Sequence, residues 1–232
     1  MTLDYERFTL LTFDCYGTLI DWEQGILGAI RPVFHEHGIE ADDEEILEAY
    51  ALCEAKQEAG DYIRYEIVLS MVMAELSLRF GFDATPQEVK SLAGSIKNWQ
   101  PFPDTIEALR KLKTKYKLAI VSNIDDSLFE ATAKTLEVPF DWVVTAQQAG
   151  AYKPALRTFE YAFDTFQIPR EQILHVAQSI YHDIVPARGL GVASAWVNRR
   201  HGREGSGATR PAHARPDVEV KSLLELTEQM GL

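Results

Sequence analysis

Apolar residues recur along this chain with two different periods. Short continuous runs of strand length occur at Leu10 to Phe13, Leu118 to Val121, Trp142 to Thr145, Ile173 to Ala177 and Val192 to Val197. Runs this short and this uniform read as strands buried on both faces. Between them the period lengthens to that of a helix. Asp104 stands as a cap before Ile106, Leu109 and Leu112, while Phe159, Ala162, Phe163 and Phe166 follow i, i+3, i+4, i+7 spacing. Strands alternating with helices predict an α/β fold on a parallel sheet covered on both sides.

The stretch 20–98 breaks the alternation, with several helical patterns and no strand. Thr85-Pro86-Gln87-Glu88 is a capping box with proline at the first helical position, and Val89, Leu92 and Ile96 share the face behind it. Tyr65, Val68, Leu69, Val72, Leu76 and Phe80 form a second apolar stripe, read as packing. The expected division is therefore a core of 1–19 and 99–232 with a helical domain of 20–98 inserted. Residues 199–216, with five arginines among glycines and prolines, read as a mobile solvated loop, or alternatively as a lip beside the site.

Composition narrows the partners. With 232 residues, 46% of them apolar, the chain can bury a substantial core. A formal charge of −12 and the absence of a basic stripe argue against nucleic acid. Cys15 and Cys53 lie in no metal-ligand spacing, so neither a disulfide framework nor a structural zinc is expected. No run of about 18 apolar residues is present, and acidic residues stand near the start where a signal peptide needs a basic flank. A cytoplasmic protein without a membrane partner is expected. Its oligomeric state stays open, a homodimer included.

Polar groups close the strand runs. Asp14 follows the first, with Gly17 three residues on to allow a tight turn; Ser122-Asn123 closes the second; Lys153-Pro154 opens a helix after the third; Asp183 follows the fourth. In an open parallel sheet such positions converge on one crevice. A carboxylate there can attack carbon or phosphorus and form an ester. A lysine favours its ionised form beside a second carboxylate. Thr18, Ser122 and Asn123 supply uncharged donors, and Asp183 can place a water or hold a metal.

Phe13-Asp14-Cys15-Tyr16-Gly17-Thr18-Leu19, Ser122-Asn123, Tyr152-Lys153-Pro154 and Ser179-x-x-x-Asp183 resemble, in order, the four motifs of the haloacid dehalogenase superfamily. The resemblance implies a Rossmann-like parallel-sheet core with an inserted helical cap of the C1 type. Superfamily phosphatases carry an aspartate two residues after the nucleophile to protonate the leaving alkoxide; here that position is Tyr16. Asp-x-Tyr-Gly-Thr-Leu resembles instead the 2-haloacid dehalogenases, which need no metal and convert an (S)-2-haloacid to an (R)-2-hydroxyacid. The resemblance assigns catalysis to Asp14, Lys153, Asp183, Ser122 and Thr18. Binding of a small anionic substrate or halide is expected at Asn123, Tyr16, Ser179, His182 and Gln178. A magnesium-dependent phosphatase, with Mg2+ on Asp14 and Asp183, is the alternative, and a non-catalytic binding protein on the same fold is a second. Where the dehalogenases carry a halide-binding arginine in the cap, this chain has Glu54, which leaves Arg31, Lys56 or Arg64 to take over. Their Tyr six residues after the lysine is Phe159 here, and Gln178-Ser179-Ile180-Tyr181-His182 replaces their Ser-x-Asn before the final Asp.

Overall fold

The computed structural model describes residues 3–232. Its centre is a six-stranded, all-parallel sheet in the order β3-β2-β1-β4-β5-β6. The strands are β1 (Leu10–Phe13), β2 (Lys117–Ser122), β3 (Trp142–Thr145), β4 (Ile173–Ala177), β5 (Ala193–Val197) and β6 (Val218–Val220). The first five coincide with the apolar runs, shifted by a residue at most. The edge strand β6 is absent from the sequence reading, because three residues with Glu219 in the middle make too short a pattern to stand out.

Helices precede and follow the strands. After β1 come α1 (Trp22–Glu36), α2 (Asp43–Glu58), α3 (Tyr65–Phe80), α4 (Pro86–Val89) and α5 (Ser91–Ser95), which form the cap. The remainder, α6 (Thr105–Lys113), α7 (Asp126–Leu136), α8 (Ala146–Ala149), α9 (Leu156–Phe166), α10 (Val185–Gly189) and α11 (Leu223–Gln229), belong to the core. The capping box at Thr85 forms as expected, with both reciprocal hydrogen bonds made. The helix behind it does not run on through Ile96; it breaks at Lys90 into α4, α5 and a 3-10 turn. Asp104 precedes α6 without capping it. Its carboxylate instead accepts from Arg199 Nη1 (2.8 Å) and the Leu223 N–H (2.6 Å), tying α6 to α11.

The loop at 199–216 also departs from expectation. Arg199 donates to the Thr18 carbonyl (2.9 and 3.1 Å) and lies 4.1 Å over the Phe102 ring. Arg200 bridges Glu23 of α1 (2.7 Å) and Glu44 of α2 (2.5 Å), and Ala208 is fully buried. Arg199 thereby fixes the start of a presumed mobile loop to the core, and Arg200, paired with carboxylates of α1 and α2, makes it a clamp between core and cap.

A second clamp lies on the opposite side. Asp125, fully buried in the β2–α7 turn, accepts from the Tyr65 and Glu66 N–H groups at 2.9 and 3.0 Å. The core thus supplies in trans the N-terminal cap that Arg64, which precedes α3, does not provide. Tyr152 adds a hydrogen bond to the Ile63 carbonyl (2.7 Å). No helix among the described residues is long and apolar enough to cross a membrane.

Removing the trans cap isolates its contribution. Asp125→Ala should cost about 2 kcal/mol by leaving helix N–H groups unpaired at a buried junction. That corresponds to a fall in Tm of roughly 4–8 °C for a chain of this size. Asp125→Asn, which still accepts, should lose clearly less. Equal Tm values for wild type and alanine variant would show that the junction is held elsewhere.

Candidate active site

The sheet changes winding direction at β1, flanked by β2 on one side and β4 on the other, and the carboxyl ends of these strands form the crevice. Asp14 leaves β1 there, held by a hydrogen bond from its N–H to the Val176 carbonyl (3.1 Å). The turn after it needs Gly17 at φ +92°, where an added Cβ would lie 2.8 Å from Trp22 Nε1. Thr18, folded back by this turn, donates to Asp14 Oδ2 (2.7 Å) and accepts from the Gln178 N–H (2.8 Å).

Lys153 stands at the centre. It is 1% exposed, and Nζ donates to Asp14 Oδ1 (2.9 Å), Asp183 Oδ1 (2.7 Å) and the Val121 carbonyl (2.8 Å). Asn123 fixes its backbone by accepting from the Lys153 N–H (2.7 Å) and donating to its carbonyl (3.0 Å). Burial works to raise the Asp183 carboxyl, but the Lys153 ammonium and His175 overcome it and hold the group near 2. Burial also raises Asp14, and here it prevails over Lys153, with the Asp183 charge adding to the rise. Asp14 is consequently the more basic carboxylate of the two. The neighbouring Cys15 thiol, pushed well up by burial, is no competing nucleophile.

His175 is a site residue that sequence reasoning missed, because it reads as one more buried position of β4. Its Nε2 lies 2.8 Å from Asp183 Oδ1, its Nδ1 lies 2.8 Å from Thr12 Oγ1, and Phe159 packs edge-on against the ring. Since an ionised carboxylate only accepts, Nε2 carries a proton and orients Asp183 from behind.

The cavity above Asp14 has a volume of about 30 Å³, the space of one or two water molecules. Tyr16, Ser122, Asn123, Gln178, Ser179 and His182 all line it. Thr18 sits beneath it, on Asp14. Tyr16 donates or accepts at Thr132 Oγ1 (2.8 Å) and burial raises its phenol well above the usual range, so its hydroxyl is engaged away from Asp14. His182 bonds Ser179 through Nδ1 (3.1 Å), and burial lowers it to about 4. Ser122 Oγ, His182 Nε2 and Asp183 Oδ2 are buried without hydrogen-bond partners among the described residues.

The cap contributes two further carboxylates, Glu54 and Glu58, one helical turn apart on α2. Glu54 accepts at Oε1 from Tyr50 (2.7 Å) and from Tyr65. Glu58 accepts from Asn123 Nδ2 (3.2 and 3.3 Å) and lies 3.6 Å from His182 Nε2. Burial raises both, Glu54 to about 7 and Glu58 well above the usual range. The cationic substitutes expected in the cap are elsewhere. Arg31 pairs with Asp43, Lys56 with Glu75, and Arg64 with Glu66 and Asp125, all three side chains being largely exposed. None lines the cavity. Lys56 fails because α2 turns the face bearing Glu54 and Glu58 inward and places it outside, while Arg31 on α1 and Arg64 before α3 are drawn to the carboxylates just named.

A magnesium ion needs several oxygens in near-octahedral array. Among the described residues no group of three or more His, Cys, Asp or Glu is arranged to hold a metal ion. Oδ1 of both Asp14 and Asp183 is already engaged by the Lys153 ammonium. The donor set does not fit a resident divalent cation.

A parallel α/β core, a buried aspartate in the turn after its first strand and a helical cap over the strand ends are the features of a class of capped hydrolases. Residues 11–197 match the model of the haloacid dehalogenase-like hydrolases, and the chain belongs to that family. It is 29% identical to an (S)-2-haloacid dehalogenase of Pseudomonas sp. (strain YL), over 94% of this chain and 92% of the relative. In structure it is similar to a defluorinating L-2-haloacid dehalogenase, with a TM-score of 0.81, 20% identity, and coverage of 97% of this chain and 96% of the other. An L-2-haloacid dehalogenase from Xanthobacter autotrophicus, solved with chloropropionic acid covalently bound, gives a TM-score of 0.79 at 17% identity, covering 97% of this chain and 98% of the other.

Glu54 yields a test of these electrostatics. Folding raises its carboxyl from the ordinary 4.5 to about 7, so the native state favours the protonated form. The stability this proton supports is complete below about pH 4.5 and is lost as pH rises through 7. Glu54→Gln, a neutral isostere that still accepts from Tyr50 and Tyr65, should be near wild type in Tm at pH 5 and more stable at pH 8. The gain should be on the order of 3 kcal/mol before relaxation. A Tm difference independent of pH would place the charged form of Glu54 in the fold.

Proposed function

We propose that the chain displaces halide from the carbon next to a carboxyl-derived group through an ester on Asp14, the chemistry that turns a 2-haloacid into a 2-hydroxyacid. The observation carrying this reading is the Asp14–Lys153–Asp183 chain combined with Tyr16, whose hydroxyl is bound to Thr132. A phosphate ester needs a proton for its leaving alkoxide, whereas halide departs as a stable anion. No acid two residues beyond Asp14 is available, and none is needed. The names of the relatives support the same reaction.

The residues divide the work. Asp14 attacks the carbon, and the carbon–halogen electron pair leaves with the halide. Lys153 and Thr18, already on the two Asp14 oxygens, stabilise the oxyanion that forms when water adds to the ester carbon. Asp183 holds that water through its free Oδ2, with Oδ1 fixed by Lys153 and His175. Ser122 and His182 offer the cavity's remaining polar contacts. In the same reading, 20–98 is the helical cap domain and 1–19 with 99–232 the catalytic core.

Four outcomes test the mechanism. Asp14→Asn should keep its fold and lose turnover by at least about a thousandfold, since an amide of the same shape is a poor nucleophile. In a single turnover with enzyme in excess in heavy-oxygen water, the product should be largely unlabelled and the peptide containing Asp14 labelled. Label in the first product would mean direct attack by water, with Asp14 as base. Lys153→Met, lacking the charge that keeps Asp14 ionised, should be nearly inactive at neutral pH, and EDTA should leave wild-type turnover unchanged. Loss of activity on chelation, restored by magnesium, would favour a phosphatase.

A further inference from the structure

The cap side of the cavity presents acids, not lysines or arginines, to whatever enters it. Of the groups lining it, Asp14, Glu54, Glu58 and Asp183 are acids. Lys153 is the one lysine or arginine among the described lining residues, and its three ammonium protons go to Asp14, Asp183 and the Val121 carbonyl. A wider hollow of about 440 Å³ adjoins it, sharing Glu58 and Lys153, and adds Asp61 without adding a cation. Arg210, stacked 5.3 Å over Tyr181, lines neither space. Above pH 7 a 2-haloacid entering here would bring its carboxylate against ionised Glu54, with no lysine or arginine of the described lining free to meet it.

The same groups suit a donor. Two tyrosines hold Glu54 at Oε1, and Asn123 holds Glu58, so both carboxyl groups have fixed orientations. We propose that Glu54 and Glu58 form a subsite for an amide N–H2 group, so that the substrate is a small 2-haloamide in place of a 2-haloacid. This inference rests on the displacement reading above. The amide carbonyl still activates the neighbouring carbon toward Asp14, while its two N–H bonds meet the two carboxyl groups. The halide leaves with its bonding electron pair, water cleaves the ester, and a 2-hydroxyamide and a proton complete the balance.

Chloride release from 2-chloropropionamide and from (S)-2-chloropropionate, measured at pH 8, tests the proposal. Wild type should favour the amide by at least tenfold in kcat/KM. Glu54→Gln should bring the ratio toward unity, and Glu54→Arg, if it folds, should reverse it. Wild-type preference for the acid would overturn the subsite and leave displacement standing. Binding of the unreactive propionamide and propionate to wild type, followed by NMR titration, separates the two readings. Propionamide bound more tightly, with no chloride released from either chloro compound, would keep the subsite and remove the displacement reading. Equal binding, or tighter propionate, would remove the subsite whatever the turnover.

Discussion

The site depends on one buried ammonium. Lys153 is the counter-charge between Asp14 and Asp183 in a buried crevice, and Asn123 pins its backbone where its ammonium reaches both. Two carboxylates this close and this buried would otherwise share a proton, and the shared proton would silence the nucleophile. The split between them follows from their other neighbours. His175 and Lys153 hold Asp183 near 2, while Asp14, with only Thr18 besides Lys153, stays more basic. A more basic carboxylate, still ion-paired, is the better nucleophile, and the less basic one is suited to orienting water.

The cap meets this charged floor through a layer of acids, and the two are coupled. Asp14 adds to the rise of Glu54, and Glu54 in turn raises Glu58. Such an arrangement is costly unless the cap is held down by contacts that do not involve the cavity. Asp125 under α3 and Arg200 across α1 and α2 are those contacts, one on each flank. Both satisfy groups that would be destabilising if left unpaired: orphan N–H groups at a helix start in one case, nearly buried carboxylates in the other.

Much of this was legible in the sequence. The central strands announce themselves as uninterrupted apolar runs because a parallel sheet buries both faces, and Asp14, Ser122, Lys153 and Asp183 stand out as the polar residues that end or follow those runs. Three things were not legible. His175 alternates with apolar neighbours in β4, and only its contact with Asp183, eight residues on, shows its role. Arg199 and Arg200 sit in a glycine- and proline-rich stretch whose composition describes the backbone, not the carboxylates that other elements bring to it. The inward face of α2 could not be fixed by periodicity, since polar and apolar residues are mixed around that helix; Lys56 and Glu58 are two residues apart, and only packing decides which turns in.

In the proposed reaction the residues that would make and break the ester are separated from those proposed to meet the rest of the substrate. The first group sits at strand ends and in short turns, where backbone hydrogen bonds such as Asp14 N–H to the Val176 carbonyl fix atoms to a fraction of an ångström. The second sits on one face of α2, where Tyr50, Glu54 and Glu58 follow one another at four-residue intervals. A change of residue on that face alters the charge presented to the substrate without moving the nucleophile. The family fold therefore constrains the reaction far more tightly than the substrate, and it is the acid at position 54, where the resemblance calls for arginine, that distinguishes this site chemically.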